Sequence, residues 1–567
     1  PVAAAPVPTA APASAPATPV ATAAPTQAAV RPPLTPRWVY EPWVWEDEEN
    51  TAEALLDLVE GYRERDIPVG AVIIDSPWQT NYNTFDFNQD YPDPAGLVKK
   101  LHEWNIRVIL WMTGMLNVES IDGPEPGKAR MYDEAKAAGY LVDRGATYEW
   151  DKGVGAAVDF FNPEAVAWWY RQLDRAWSVG VDGWKVDSPE GNLPDYVQTH
   201  AGPKTNRQYG TEYYRAMHRY VAARGPEAII TARPIDGGTE YAPVDANPAG
   251  WVGDQLPDWG EKGIDEALNN MLDSAAEGYA VVGSDIGGYR PGERSDNLFT
   301  RWTQLGALSP LMENGGRGEH RPWKFGGDVV DVYRYFAKLH HQLVPYLHSA
   351  GIEAHLTGMP IIRGGDKERQ QYLLGTDLFV APILQREDER DVRFPSDGRW
   401  HDYWDDDRTY QPGATVRYRA SSARMPLFIR AGAIIPMQVK DRDTGHGGKG
   451  SAGHLTLLLY PEGESIRHYR PTAQDVVELR SRRAPEGVTV NIGARTEKYV
   501  LRIKEPTAPN EVSLELDSQR RPLSRRSSWR DFDRSTEGWF YDATRKYTWA
   551  RFATANQGAR LSYRPGG

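Results

Sequence analysis

Cysteine is absent from all 567 residues, which excludes disulfides, thiolate metal sites and a cysteine nucleophile. Long apolar runs are missing too. No stretch approaches the ~18 residues that would span a bilayer, so membrane insertion is not expected. Basic charge is outweighed, with 65 Lys and Arg against 78 Asp and Glu and a formal net charge of −13. A nucleic-acid binder normally presents a basic face, and no such partner is expected. Aromatics, by contrast, are plentiful, with 20 Trp and 29 Tyr. Some of these fill cores, and some can serve as platforms for the apolar faces of sugars.

Residues 1–36 are almost all Ala, Pro, Val and Thr without a hydrophobic period. They read as an extended, disordered linker of the sort that exported multidomain proteins carry, which predicts an extracellular or periplasmic location. Residues 37–348 alternate short apolar runs with amphipathic helical patterns. The strand-like runs are 38–46, 69–78, 106–113, 181–187, 228–234, 250–254, 279–285 and 307–312. Helical faces show in Leu55, Leu58, Val59 and Tyr62, and again in Val166, Trp169, Tyr170, Leu173 and Trp177. Asn162 followed by Pro163 caps the second of these helices. Eight β-then-α units predict an α/β fold, a closed (β/α)8 TIM barrel, with an insertion at about 115–160 containing a small hairpin over 140–150. Beyond residue 350 short alternating runs separated by Gly, Pro and Asp turns predict β-sandwich domains, 349–440 and 441–567.

In such a barrel the active site lies at the C-terminal ends of the strands. Polar residues collect there. The second strand runs into Asp75, the third contains Trp111, the fourth reads Gly183-Trp184-Lys185-Val186-Asp187, the fifth ends at Arg233, the sixth reads Trp251-Val252-Gly253-Asp254 and the seventh ends Ser284-Asp285. A lone Asp after a strand is usually a turn former or helix cap. Asp187, Asp254 and Asp285 on one rim are different, because like charges repel and stability gives no reason to gather them. Glycoside hydrolysis needs such a pair: one carboxylate to attack or stabilise the anomeric carbon, one carboxyl to protonate the leaving oxygen. Lys185 shares the strand face of Asp187 and would help keep it ionised. Asp86-Phe87-Asn88-Gln89-Asp90 opens like a calcium loop, but Tyr91 holds the sixth place and no Glu stands at the twelfth, so no metal is expected.

These segments resemble glycoside hydrolase family 31, the α-glucosidase and α-xylosidase family. The resemblance covers about 37–440. It rests on Val158-Asp159-Phe160-Phe161-Asn162-Pro163-Glu164-Ala165, on Lys185-Val186-Asp187-Ser188-Pro189-Glu190, on Trp251-Val252-Gly253-Asp254, on Ser284-Asp285-Ile286-Gly287-Gly288-Tyr289, and on two C-terminal segments, 374–382 and 428–436. It implies a retaining α-glycoside hydrolase working through a covalent glycosyl-aspartate, with Asp187 as nucleophile and Asp254 as acid/base. It further implies that Asp285 and Arg233 bind the sugar, that Trp184, Trp251, Asp75 and Trp111 line its subsite, and that no cofactor is needed. An α-transglycosylase using the same residues and a catalytically silent carbohydrate-binding protein are the alternatives. The chain departs from the family where the eighth strand usually ends Arg-Asn-His. Here the stretch is Glu313-Asn314-Gly315, with His320 as the candidate substitute for the missing His. The sugar recognised is therefore open between gluco, galacto, xylo and modified forms. The family's N-terminal β-sandwich is also missing from this sequence.

Overall fold

The computed structural model describes residues 30–122 and 127–566. Eight parallel strands form the barrel: β1 Trp43–Glu46, β2 Ala71–Ile74, β3 Arg107–Met112, β4 Gly183–Val186, β5 Ile229–Ala232, β6 Gly250–Trp251, β7 Val282–Gly283 and β8 Glu313–Asn314. Six of them make one sheet in the order β5-β4-β3-β2-β1-β8, and β6 pairs with β7. Parallel bridges between Thr231 and Ala249 and between Asp285 and Glu313 join the two pieces, so the ring closes.

The helices follow their capping chemistry. Thr51 accepts the Ala54 amide ahead of α1 (Ala52–Glu64), and Asp93 accepts the Gly96 amide ahead of α2 (Pro94–Glu103). Asn162 caps α3 (Pro163–Trp177), and Thr205 with Gln208 forms a capping box on α4 (Asn206–Ala222). Then come α5 (Ile264–Ala276), α6 (Asp296–Ala307) and α7 (Val329–Thr357). The fifth unit departs from the expected repeat. Between β5 and β6 the described chain has a two-residue hairpin, Ile235–Asp236 with Thr239–Glu240, and one 3-10 turn, but no α-helix.

Three further expectations shift. Residues 307–312 are not the eighth strand: Ala307 ends α6, and pairing with β1 starts at Met312, whose carbonyl accepts the Trp43 amide. The inserted hairpin is Tyr148–Trp150 with Gly153–Ala157, joined to Met115–Ser120 in a three-stranded sheet, so 140–147 lies outside it. Residues 1–29 of the expected linker lie outside the described residues. Pro32, Thr35 and Pro36 are buried, and the Thr35 hydroxyl donates to the Pro248 carbonyl at 2.7 Å.

After the barrel, α7 runs on to Thr357 and is buried along most of its length despite Pro345 within it. A six-stranded sheet follows, with Phe379, Phe394, Trp400 and Phe428 in its core. The final sheet has nine strands and is built on two long partners, Gly487–Lys504 and Tyr547–Pro565. Its first strand is Ile434–Gln438, which pairs with Leu455–Leu459. The second β domain therefore begins before residue 440.

Candidate active site

Alternation along β4 sets the site. Residues two apart share a face, so Lys185 and Asp187 point into the barrel mouth while Trp184 and Val186 point outward to the helices. The register puts Trp111 of β3 and Thr231 of β5 level with Lys185. Asp187 lies one residue past β4, and its amide still donates to the Met112 carbonyl at 2.8 Å.

Arg233, just beyond β5, organises the acids. Its Nε donates to Asp187 Oδ1 at 3.1 Å, its Nη2 to Asp254 Oδ1 and Oδ2 at 2.8 and 2.9 Å, and its Nη1 to Asp236 Oδ2 at 2.9 Å. One guanidinium spans Asp187 and Asp254, which keeps their nearest oxygens within roughly 8 Å. That is the scale of a glycosidase carboxyl pair, about 5–9.5 Å. Asp187 Oδ2 also accepts from Trp111 Nε1 at 3.2 Å, and Oδ1 from the Ser188 amide at 2.8 Å. Burial alone would raise the Asp187 carboxyl. The Arg233 charge, the Ser188 amide and Lys185 outweigh it, and the group sits below the usual Asp value.

These side chains form the floor and wall of a cavity of about 540 Å³. Asp75, Trp111, Lys185, Asp187, Arg233 and Asp254 all line it. Lys185 Nζ donates to Asp75 Oδ2 at 2.9 Å and stands 3.8 Å above the Trp45 ring. Gly253, at φ +104°, lets the chain turn after β6; a Cβ there would strike the Asp236 carboxyl.

Four residues expected to touch the sugar do not reach the cavity. Trp184 packs against Trp78 and Phe85 on the outer side of β4, as strand alternation requires. Trp251 is buried just beneath, its ring about 5 Å from both Lys185 and Arg233. Asp285 is fully buried, and among the described residues its two oxygens have no hydrogen-bond partner. Burial and the neighbouring Glu313 raise its carboxyl well above the usual value, against the pull of Lys185. His320 is buried behind the wall, with Nδ1 near the Gly318 carbonyl and Nε2 near that of Gly288. Burial first, and the Arg294 charge second, push it down to about 3, so it is a neutral structural side chain. The space above Gly315 belongs instead to Trp45: a Cβ on Gly315 would lie 2.2 Å from its indole.

Several lining residues escaped sequence reading. Asp236 stands three positions after Arg233 in the hairpin that replaces the fifth helix, and that short spacing was its one signal. Trp150 and Lys152 arrive on the inserted hairpin, and Tyr289 and Arg317 on loops after β7 and β8. Trp150 Nε1 donates to Asn117 at 2.7 Å, and its ring meets Tyr82 edge-on, as Tyr82 meets Trp111. Tyr82, buried behind the lining, thus braces both tryptophans, and Trp111 and Trp150 are the rings that face the cavity.

Comparison with known proteins agrees with this architecture. The sequence model of the glycosyl hydrolases family 31 TIM-barrel domain matches residues 32–350, and that of the family's C-terminal domain matches 360–435. The alpha-xylosidase of Emericella nidulans is 28% identical over 450 residues, 72% of this chain and 54% of that protein. The isomaltosyltransferase of Sporosarcina globispora is 24% identical across 93% of this chain and 52% of its own length. This chain thus spans about half to two thirds of the curated relatives it matches. Among solved structures, the cycloalternan-forming enzyme of Listeria monocytogenes with its pentasaccharide substrate aligns with a TM-score of 0.82 at 22% identity, over 94% of this chain and 55% of that one. The Flavobacterium johnsoniae GH31 dextranase complexed with glucose aligns with a TM-score of 0.80 at 20% identity, over 94% and 71%. With a family barrel matched over more than half its length, this chain belongs to glycosyl hydrolase family 31.

Proposed function

We propose that the chain is a retaining α-glycosidase that removes terminal α-linked sugars, with Asp187 as nucleophile and Asp254 as acid/base. The carrying observation is the Arg233 bridge, which suspends two carboxylates from different strands across one sugar-sized cavity. Asp187, kept ionised by that charge, attacks the anomeric carbon while Asp254 delivers a proton to the departing oxygen. Water then attacks the glycosyl-aspartate, giving its proton back to Asp254. The sugar enters between the two acids, so Arg233 exchanges part of its hold on them for sugar hydroxyls. Asp75, Lys185 and Trp111 complete the hydroxyl-reading wall, and Asp285 and Trp251 support it from beneath.

Transfer to a sugar acceptor is the second reading. It is favoured by the relatives named isomaltosyltransferase and cycloalternan-forming enzyme, and by the two tryptophans on the cavity lining, Trp111 and Trp150, against which an acceptor ring could pack.

Asp187→Ala is expected to abolish turnover of p-nitrophenyl α-glycosides while thermal unfolding still shows a folded protein. Asp254→Ala is expected to slow natural disaccharides far more than aryl glycosides with good leaving groups. Equal losses on the two substrate types would remove Asp254 as the acid. Varying only the sugar of the aryl glycoside identifies the cleaved residue, and product analysis at high disaccharide concentration separates transfer from hydrolysis.

A further inference from the structure

A second cavity, of about 360 Å³, lies where α7, the six-stranded sheet and the final sheet meet, and it shares no lining residue with the Asp187 cavity. Arg502, on strand Gly487–Lys504, lines it while only 8% exposed. Its guanidinium forms no ion pair among the described residues, and its Nε is buried without a hydrogen-bond partner. The Tyr460 hydroxyl, which donates to Asp406 Oδ2 at 3.1 Å, is its polar neighbour, and the group lies 3.5 Å over the Tyr547 ring. A cation–π contact offsets only part of the cost of burying an ion. The charge is therefore incompletely answered from within the chain.

Nearby acids do not supply the answer. Asp406 and Asp407 are taken by Lys504, and Asp407 also by Lys546. Asp405 lies exposed at the rim. A second arginine, Arg545, lines the same cavity, is exposed, and likewise has no ion pair among the described residues. His446 faces this pair of cations. Burial, then Arg502 and Arg545, keep it neutral, and its Nδ1 lies 3.2 Å from Gln342 Oε1. A proton held on Nδ1 leaves Nε2 as an acceptor. Trp404 and the ring of Tyr403 add apolar faces to the lining.

We propose that this cavity binds an acidic monosaccharide, its oxyanion on the forked donors of Arg502 and Arg545, its hydroxyls on His446 and Tyr460, and its ring against the aromatic lining. The planar guanidinium suits a carboxylate, sulfate or phosphate, and the volume suits one sugar ring.

Calorimetric titration of the full chain with glucuronate, inorganic phosphate and glucose tests this. Glucuronate is expected to bind, and Arg502→Met to weaken it at least tenfold. Arg545→Ala, at an exposed position safe for folding, is expected to weaken it several-fold while hydrolysis of an aryl α-glycoside stays unchanged. Glucuronate tighter than phosphate supports a sugar acid, and equal affinities support the oxyanion alone. Absence of anion binding to the unsubstituted protein overturns the proposal, as does anion binding that survives both substitutions, or glucose binding that falls in parallel with that of glucuronate.

Discussion

Lys185 answers three buried acids with a single ammonium: Asp75 directly, and Asp285 and Glu313 through space. Glu313 lies beside the Trp45 indole, and burial pushes it up to about 7 against the pull of Lys185. Below pH about 4.5 the carboxyl is protonated whether the chain is folded or not. Between there and about 7 the unfolded chain gives up the proton while the folded chain retains it, so stability drains away as pH rises. Glu313→Gln is therefore expected to melt close to the parent protein at pH 5 and to be more stable at pH 8, by on the order of 2 kcal/mol. A difference that does not grow with pH would refute the assignment. Gly315 is the other residue with a clear test. A methyl group there meets Trp45, so Gly315→Ala is expected to cost about 1–3 kcal/mol by overpacking. In a denaturant double-mutant cycle with Trp45→Ala, most of that cost should disappear.

Among the elements, the inserted hairpin Tyr148–Ala157 brings Trp150 and Lys152 to the cavity lining. Trp150→Ala is expected to raise KM for a disaccharide several-fold while leaving kcat for a small aryl glycoside within about twofold, because it removes a wall of the mouth rather than a reacting group. Steady-state kinetics on both substrates checks it. The hairpin also shows where local sequence stops being informative. Helices α1 and α3 were legible because cap, period and length agree in a single window. The rim acids were legible because each follows a recognisable strand. The run 307–312 was misread, since a short buried apolar stretch looks alike as helix end or strand. His320, the candidate substitute for the missing His, is carried off the cavity lining by the turn through Gly316 and Gly318, both at positive φ, and ends near the Gly288 carbonyl. No local pattern shows that Trp45, from the first strand, takes the space beside Gly315. That is a contact across 270 residues of chain.

At the scale of the molecule, the barrel and the sheets are interlocked rather than strung together. Asp377 of the six-stranded sheet is fully buried, and its charge is met by Arg467 of the final sheet, with Nε at 2.9 Å from Oδ2. The strand Ile434–Gln438 completes its pairing with Leu455–Leu459. A fragment ending at residue 440 would keep Asp377, lose its Arg467 partner and leave a sheet edge open. Such a fragment is expected to aggregate or to melt well below the full chain in scanning calorimetry. A soluble fragment with the parent melting temperature would contradict this.

The helix α7 begins against the barrel, and at its far end the Tyr346 hydroxyl bonds the Leu374 carbonyl while Ser349 receives the Arg470 amide. It works as a rivet through three parts of the protein. Swinging one part against another would shear its buried surface, so the barrel and the two sheets are held as one frame.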